Sequence, residues 1–216
     1  YGILNLRFRE SFDSPKNISL GKEFTVKIKL DHIAYKLPKG NKLRLSLSNA
    51  YWPLVWPVSN PAKLVVKEGY LSLPLRQSAK SDEWVFPKSV VSKPWQGKEI
   101  RKPCNKRQVL FDEATDAVFL DIEDDFGSYK DLKNNLIISS TAREKWSIHP
   151  NDPLSAKGET HWTEERSRGD WSIRTETFSS MTSDKSYFYL KARVEAYEKA
   201  KLIFKKKMES KIKRVL

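Results

Sequence analysis

Residues 31–57 read DHIAYKLPKGNKLRLSLSNAYWPLVWP, and this stretch decides the fold class. Leu43, Leu45 and Leu47 alternate with Arg44, Ser46 and Ser48, the period of two that marks a half-buried strand. Ahead of them, Pro38-Lys39-Gly40-Asn41 supplies a turn, because proline restricts φ and glycine tolerates a positive one. Behind them, Tyr51, Trp52 and Trp56 are interleaved with Pro53 and Pro57, which cannot continue a central strand. The stretch therefore reads as strand, turn, strand and an aromatic clamp.

Working outward, the same period recurs. Phe24, Val26, Ile28 and Leu30 alternate with Thr25, Lys27 and Lys29, and Lys63–Lys67 and Leu71–Arg76 read as a hairpin across Glu68-Gly69-Tyr70. Residues 78–107 carry Pro87, Pro94 and Pro103 among scattered charges with no clear period, which predicts a linker or long excursion. Residues 108–216 predict an antiparallel extension: a strand over Ala117–Asp124, a turn at Phe126-Gly127-Ser128, and strands over Leu136–Ile148 and Gly158–Arg166 separated by a break at His149–Pro153. Arg168-Gly169-Asp170 is read as a tight turn into Trp171–Met181, followed by a last hairpin of Tyr187–Tyr197 and Leu202–Ile212. Good helix formers over Lys199–Ile212 leave a helix as the alternative there; strand is preferred. The expected fold is all-β, with residues 1–77 in one β unit, 78–107 between, and 108–216 forming a β-rich extension.

The bulk properties agree with a folded β protein. At 216 residues the chain can bury a sizeable core, and seven Trp, eight Tyr and ten Phe favour a pleated surface. The longest nearly apolar run, Tyr51–Val58, is far too short to span a bilayer, and no signal-peptide pattern is visible. A chain beginning at Tyr1 is expected to be a fragment or a processed product. The lone Cys104 suits a reducing compartment, so a cytoplasmic location is expected. The formal net charge is +13, and residues 199–216 hold eight basic residues and one acidic one. Lysine outnumbers arginine there and no interleaving of several aromatics suggests base stacking, so a solvated strand is expected and nucleic-acid binding is not.

Tests for chemistry return structural readings. A Gly-x-Ser-x-Gly elbow would let a serine project as nucleophile, yet the second residues after the eight glycines are Leu4, Glu23, Lys42, Leu71, Glu99, Tyr129, Thr160 and Trp171. His149 and His161 flank a bend near Asp152 and Glu159, without the spacing of a zinc helix or a paired-cysteine site. Glu159, Glu164, Glu165 and Glu176, or Asp121 with Glu123, are read as rows of sheet-face charges in preference to a glycosidase pair. Trp52, Trp56, Trp84 and Trp95 are read as packing residues in preference to a carbohydrate platform. No catalytic, cofactor or metal residue is assigned. Tyr51, Trp52 and Trp56 are the candidates for an inter-domain or inter-strand anchor.

The segment Asp31–Pro57 resembles the signature of the X-Pro dipeptidyl-peptidase C-terminal domain of cocaine-esterase-like (CocE/NonD) serine hydrolases. Tyr1-Gly2-Ile3-Leu4-Asn5-Leu6, Asp152-Pro153-Leu154-Ser155-Ala156 and Arg168-Gly169-Asp170-Trp171 with Arg174-Thr175-Glu176-Thr177 look like further stretches of that family. The likeness is poorest over Ser78–Arg107. The resemblance implies a jelly-roll-like, galactose-binding-like β-sandwich, of which residues 1–77 would be the C-terminal part, with an antiparallel β-meander extension. It implies a non-catalytic domain that supports an α/β-hydrolase catalytic domain, in cis or in trans, and helps wall its substrate cleft. Homo-oligomerisation is left open, and no cofactor, nucleic acid or membrane span is implied. A freestanding carbohydrate- or polyanion-binding module and the remnant of a split hydrolase gene are the alternative readings.

Overall fold

A computed structural model describes residues 1–60, 62–77 and 79–214. Ser78 at the head of the expected excursion and residues 215–216 of the basic segment lie outside the described residues. The fold is all-β, as the period-two patterns require, and its ladders form one open antiparallel sheet of eight strands. These are β1 (Gly97–Arg101), β2 (Cys104–Asp112), β3 (Ala117–Asp131), β4 (Ile137–His149), β5 (Asp152–Arg168), β6 (Trp171–Ser183), β7 (Tyr187–Glu198) and β8 (Lys201–Lys213). From β3 to β8 each strand pairs with the next through a hairpin.

β1 and β2 lie end to end along the same edge of β3, one against Ser128–Asp131 and the other against Ala117–Asp125. Pro103 separates them because it has no N–H to give the ladder. Opposite that break β3 carries a bulge between Asp125 and Ser128. Gly127 sits in it at φ +81°, where a Cβ would lie 2.6 Å from the Arg101 carbonyl oxygen. The Gly127 N–H donates to Asp125 Oδ1 at 2.9 Å, and Asp125 also pairs with Arg101. Phe126-Gly127-Ser128 is thus a bulge inside a long strand and not the expected turn. Glycine marks both features, and only cross-strand pairing distinguishes them.

Other corrections share that cause. β5 begins at Asp152, so the expected break at His149–Pro153 shrinks to a two-residue hairpin turn. β1 and the head of β2 form within the stretch read as an excursion, where scattered charge hid a ladder. The expected strands around Phe24–Leu30, Leu43–Leu47, Lys63–Lys67 and Leu71–Arg76 form no ladder among the described residues, whose regular helical elements before β1 are two short 3-10 turns, Leu6–Phe8 and Lys80–Asp82. Alternation says which face is apolar but supplies neither a pairing strand nor a covering layer. Leu43, Leu45 and Leu47 accordingly stay more than half exposed. The Pro38–Asn41 turn does form, with Asn41 N–H donating to the Pro38 carbonyl at 3.1 Å and Gly40 at φ +89°.

The register sorts the sheet into two unlike faces. One carries Leu120, Trp146, Met181 and Leu190 in a single cross-strand row, with Ile122, Ala192 and Met208 in the next. Gly158 stands in the first row because Trp146 lies across it: a Cβ there would meet the indole at 2.5 Å. The other face is ionic. Asp121, Lys145 and Glu159 stand side by side on β3, β4 and β5, and the row continues through Ser180 to Lys191 and Glu209. Opposite charges directly across strands each contribute roughly 0.2–1 kcal/mol. The most buried hydrophobic residues are Ala142 and Ala156, both on the apolar face, at 3% and 1% exposure. A single sheet with its apolar face only locally covered explains so small a core.

Candidate functional site

The cover on the apolar face comes from the aromatic clamp. The Val55 N–H donates to the Tyr51 carbonyl at 2.8 Å, closing a turn that brings Trp52 and Trp56 together. Their rings meet edge to face at 5.2 Å between centroids and 78°. Trp52 then meets Trp146 of β4 at 5.9 Å and 80°, and Trp56 meets Phe188 of β7 at 6.3 Å and 84°. Edge-to-face geometry suits the ring quadrupole and is worth about 0.5–1.5 kcal/mol per pair beyond the area buried. Tyr51 turns away from the sheet toward Tyr1, 6.3 Å between centroids, and remains 41% exposed.

Polar groups close the clamp. Trp56 Nε1 donates to Ser183 Oγ at 3.0 Å, a contact spanning 127 residues of chain. Arg214, just past β8, donates through Nη1 to the same Ser183 oxygen and to the Asp184 carbonyl, both at 3.0 Å, and through Nη2 to the Pro57 carbonyl at 2.8 Å. Its guanidinium also lies 4.7 Å above the Phe188 ring. Arg214 is 4% exposed, and a buried cation is tolerable here because three oxygens and a ring face receive it. Burial pulls its pKa below the ordinary guanidinium range, the Asp184 charge opposing the shift. The sequence patterns missed Ser183 and Arg214: one is a small residue at a strand end, and the other sits in a basic run that reads as solvated charge.

The remaining candidates are placed apart. His161 lies on the ionic face, with Nε2 3.1 Å from Glu176 Oε2 and its ring stacked on Phe178 at 4.1 Å. Arg193 lies 3.9 Å from the same Phe178 ring. His149 instead receives the Asn151 N–H on Nδ1 at the β4–β5 turn, so the two histidines do not converge. Glu176 and Glu195 stand directly opposite each other, an unfavourable pairing relieved by dedicated cations. Arg174 is 3.0 Å from Glu176, while Arg193 at 3.3 Å and Lys205 at 2.8 Å hold Glu195. The Lys205 contact, joined by Tyr197 and Arg193, depresses the Glu195 pKa against its own desolvation. Glu159 pairs with Lys157 at 2.8 Å, Glu164 with Arg166 at 3.0 Å, and Glu123 with Arg143 at 3.4 Å. Glu165 stands opposite Arg174, and Asp121 opposite Lys145. Among the described residues no group of three or more His, Cys, Asp or Glu side chains is arranged to hold a metal ion. Trp95 packs on Tyr129 at 6.4 Å and 67°, and Trp84 is 70% exposed, so the four tryptophans do not form one flat platform.

What these features define is an all-β protein whose N-terminal segment is pinned by two tryptophans to an amphipathic meander. Residues 1–82 match the family model of the X-Pro dipeptidyl-peptidase C-terminal non-catalytic domain. The matched stretch contains the whole Tyr51–Pro57 clamp and ends before β1. No curated protein and no solved structure matches the chain.

Proposed function

We propose that this chain is a non-catalytic β domain of a cocaine-esterase-like serine hydrolase, supporting the α/β-hydrolase catalytic domain in cis or in trans and helping to wall its substrate cleft. The parent chemistry would be transfer of an acyl group to water from an ester or an X-Pro amide, in the cytoplasm. On this reading residues 1–77 complete a jelly roll begun elsewhere, 78–107 connect it, and 108–216 form the extension. Trp52 and Trp56 are the anchor between the two parts, while Tyr51 of the same turn packs on Tyr1 within the first.

One observation carries the reading: the segment that matches a non-catalytic domain family holds the clamp that rests on Trp146 and Phe188. A domain built to brace a neighbour needs such a joint, because otherwise the two parts would move independently. The expected result is that the full chain hydrolyses neither a nitrophenyl ester nor an X-Pro nitroanilide above background. Turnover that a serine-directed fluorophosphonate abolishes would overturn the reading. The reading frame upstream of Tyr1 gives the complementary test: a Gly-x-Ser-x-Gly elbow there supports the in-cis form, and an upstream stop codon rejects that form.

A further inference from the structure

We propose that the free edge of β8 is an acceptor for an acidic, amphipathic peptide strand, which adds to the sheet as a ninth strand. Two independent features of β8 point there. The first is the edge itself. β8 ends the sheet order, no strand among the described residues pairs with its outer side, and all 13 of its residues are exposed. Beyond a bulge at Ile203, the regular part Phe204–Lys213 offers a row of unpaired N–H and C=O groups about 33 Å long.

The second feature is how the side chains divide. Lys205, Lys207, Lys211 and Lys213 fall opposite Glu195, Arg193, Tyr189 and Tyr187 on the ionic face. Glu209, opposite Lys191, is the one acidic residue in that row. Phe204, Met208 and Ile212 fall opposite Ala196, Ala192 and Phe188 on the apolar face, with Lys206 and Ser210 between them, and the three apolar residues are 51%, 42% and 49% exposed. An incoming strand would therefore present mainly carboxylates to the row of four lysines and Glu209, and mainly aliphatic side chains to the face of Phe204, Met208 and Ile212. Directly opposed unlike charges and apolar pairs are the favourable cross-strand combinations. Main-chain hydrogen bonds to the edge would supply affinity, and the alternating side chains would supply selectivity.

The same pattern argues against a second copy as the occupant. Antiparallel β8–β8 pairing would bring two lysine-rich rows together. Pairing β8 with the other free edge would bring it against Lys106 and Arg107 of β2. Like charges directly opposed are destabilising, and edge lysines are a known safeguard against self-pairing. The lysine excess of the edge thus disfavours its own kind and favours an acidic strand.

The probe is a fluorescein-labelled ten-residue peptide of alternating Glu and Val, titrated with the full chain and read by anisotropy. The expected result is saturable binding that weakens about tenfold or more when alternate backbone nitrogens of the peptide are methylated, since methylation blocks edge hydrogen bonds and leaves the charge. The double variant Lys207→Glu/Lys211→Glu should lose the Glu-Val peptide and gain its Lys-Val counterpart. Equal binding of methylated and unmethylated peptides would overturn the proposal, because charge alone would then account for it. So would tighter binding of a single-stranded oligonucleotide than of the peptide, or no binding of the peptide at millimolar concentration. Ester turnover by the chain would sink the proposed function without touching this inference.

Discussion

If the Trp56–Phe188 contact joins the N-terminal segment to the sheet, the two rings must be energetically coupled. Trp56→Ala removes one edge-to-face pair with Trp52, another with Phe188, and the indole hydrogen bond to Ser183. Fully buried aromatics cost about 3–5 kcal/mol when truncated to alanine. Trp56 is only half-buried, so about 2 kcal/mol is expected. Phe188→Ala removes the same ring pair together with the Arg214 contact. The decisive quantity is the coupling term of the double-mutant cycle, measured by urea denaturation followed by circular dichroism. The edge-to-face geometry predicts a coupling of about 0.5–1.5 kcal/mol. Trp56→Phe should recover most of the single-mutant loss, leaving about 1 kcal/mol for the missing Nε1–H donor. A coupling of zero, with additive single mutants, would refute the idea that this contact joins the two parts.

Other outcomes follow from the same geometry. Gly158→Ala should destabilise the sheet by about 1–3 kcal/mol, because its Cβ would meet the Trp146 ring at 2.5 Å; the urea midpoint reads this directly. Arg214→Gln should cost about 1.5–3 kcal/mol, since one amide cannot replace a charged fork donating to Ser183, Asp184 and Pro57, and the loss should shrink in a Trp56→Ala background because the two share Ser183. Acid should weaken the fold through Asp184, whose pKa is lowered by Tyr189 O–H and then by the Ser186 and Tyr187 N–H groups, and through Glu195, lowered chiefly by Lys205. Groups depressed in the folded state contribute stability above their ordinary values, near pH 4, and lose it as pH falls through the lower folded values. The urea midpoint should therefore hold steady from pH 7 to 5 and drop toward pH 3, with a smaller drop in Asp184→Asn.

The division between what was legible in the chain and what was not follows from the kind of information each signal carries. Alternation of apolar and charged residues is local, so six strands beyond residue 116 could be read from it, including the choice of strand over helix for β8, although their ends at Asp131 and Asp152 could not. The aromatic clamp could be read too, because Pro53 and Pro57 among Trp52 and Trp56 exclude an ordinary strand. Register is not local. Whether Gly127 makes a turn or a bulge depends on Arg101 and Pro103 lying opposite it. That Trp56 meets Phe188 and shares Ser183 with Arg214 depends on closing loops of more than a hundred residues, which no short-range pattern encodes. The basic run near the end looked like solvated charge in one dimension; pairing with β7 gathered most of its lysines on one face and Phe204, Met208 and Ile212 on the other. The sequence by itself therefore determined an all-β chain with an aromatic clamp and a family resemblance. Only tertiary structure decided what the clamp grips and which edge stands free, because both are set by contacts between residues far apart in the chain.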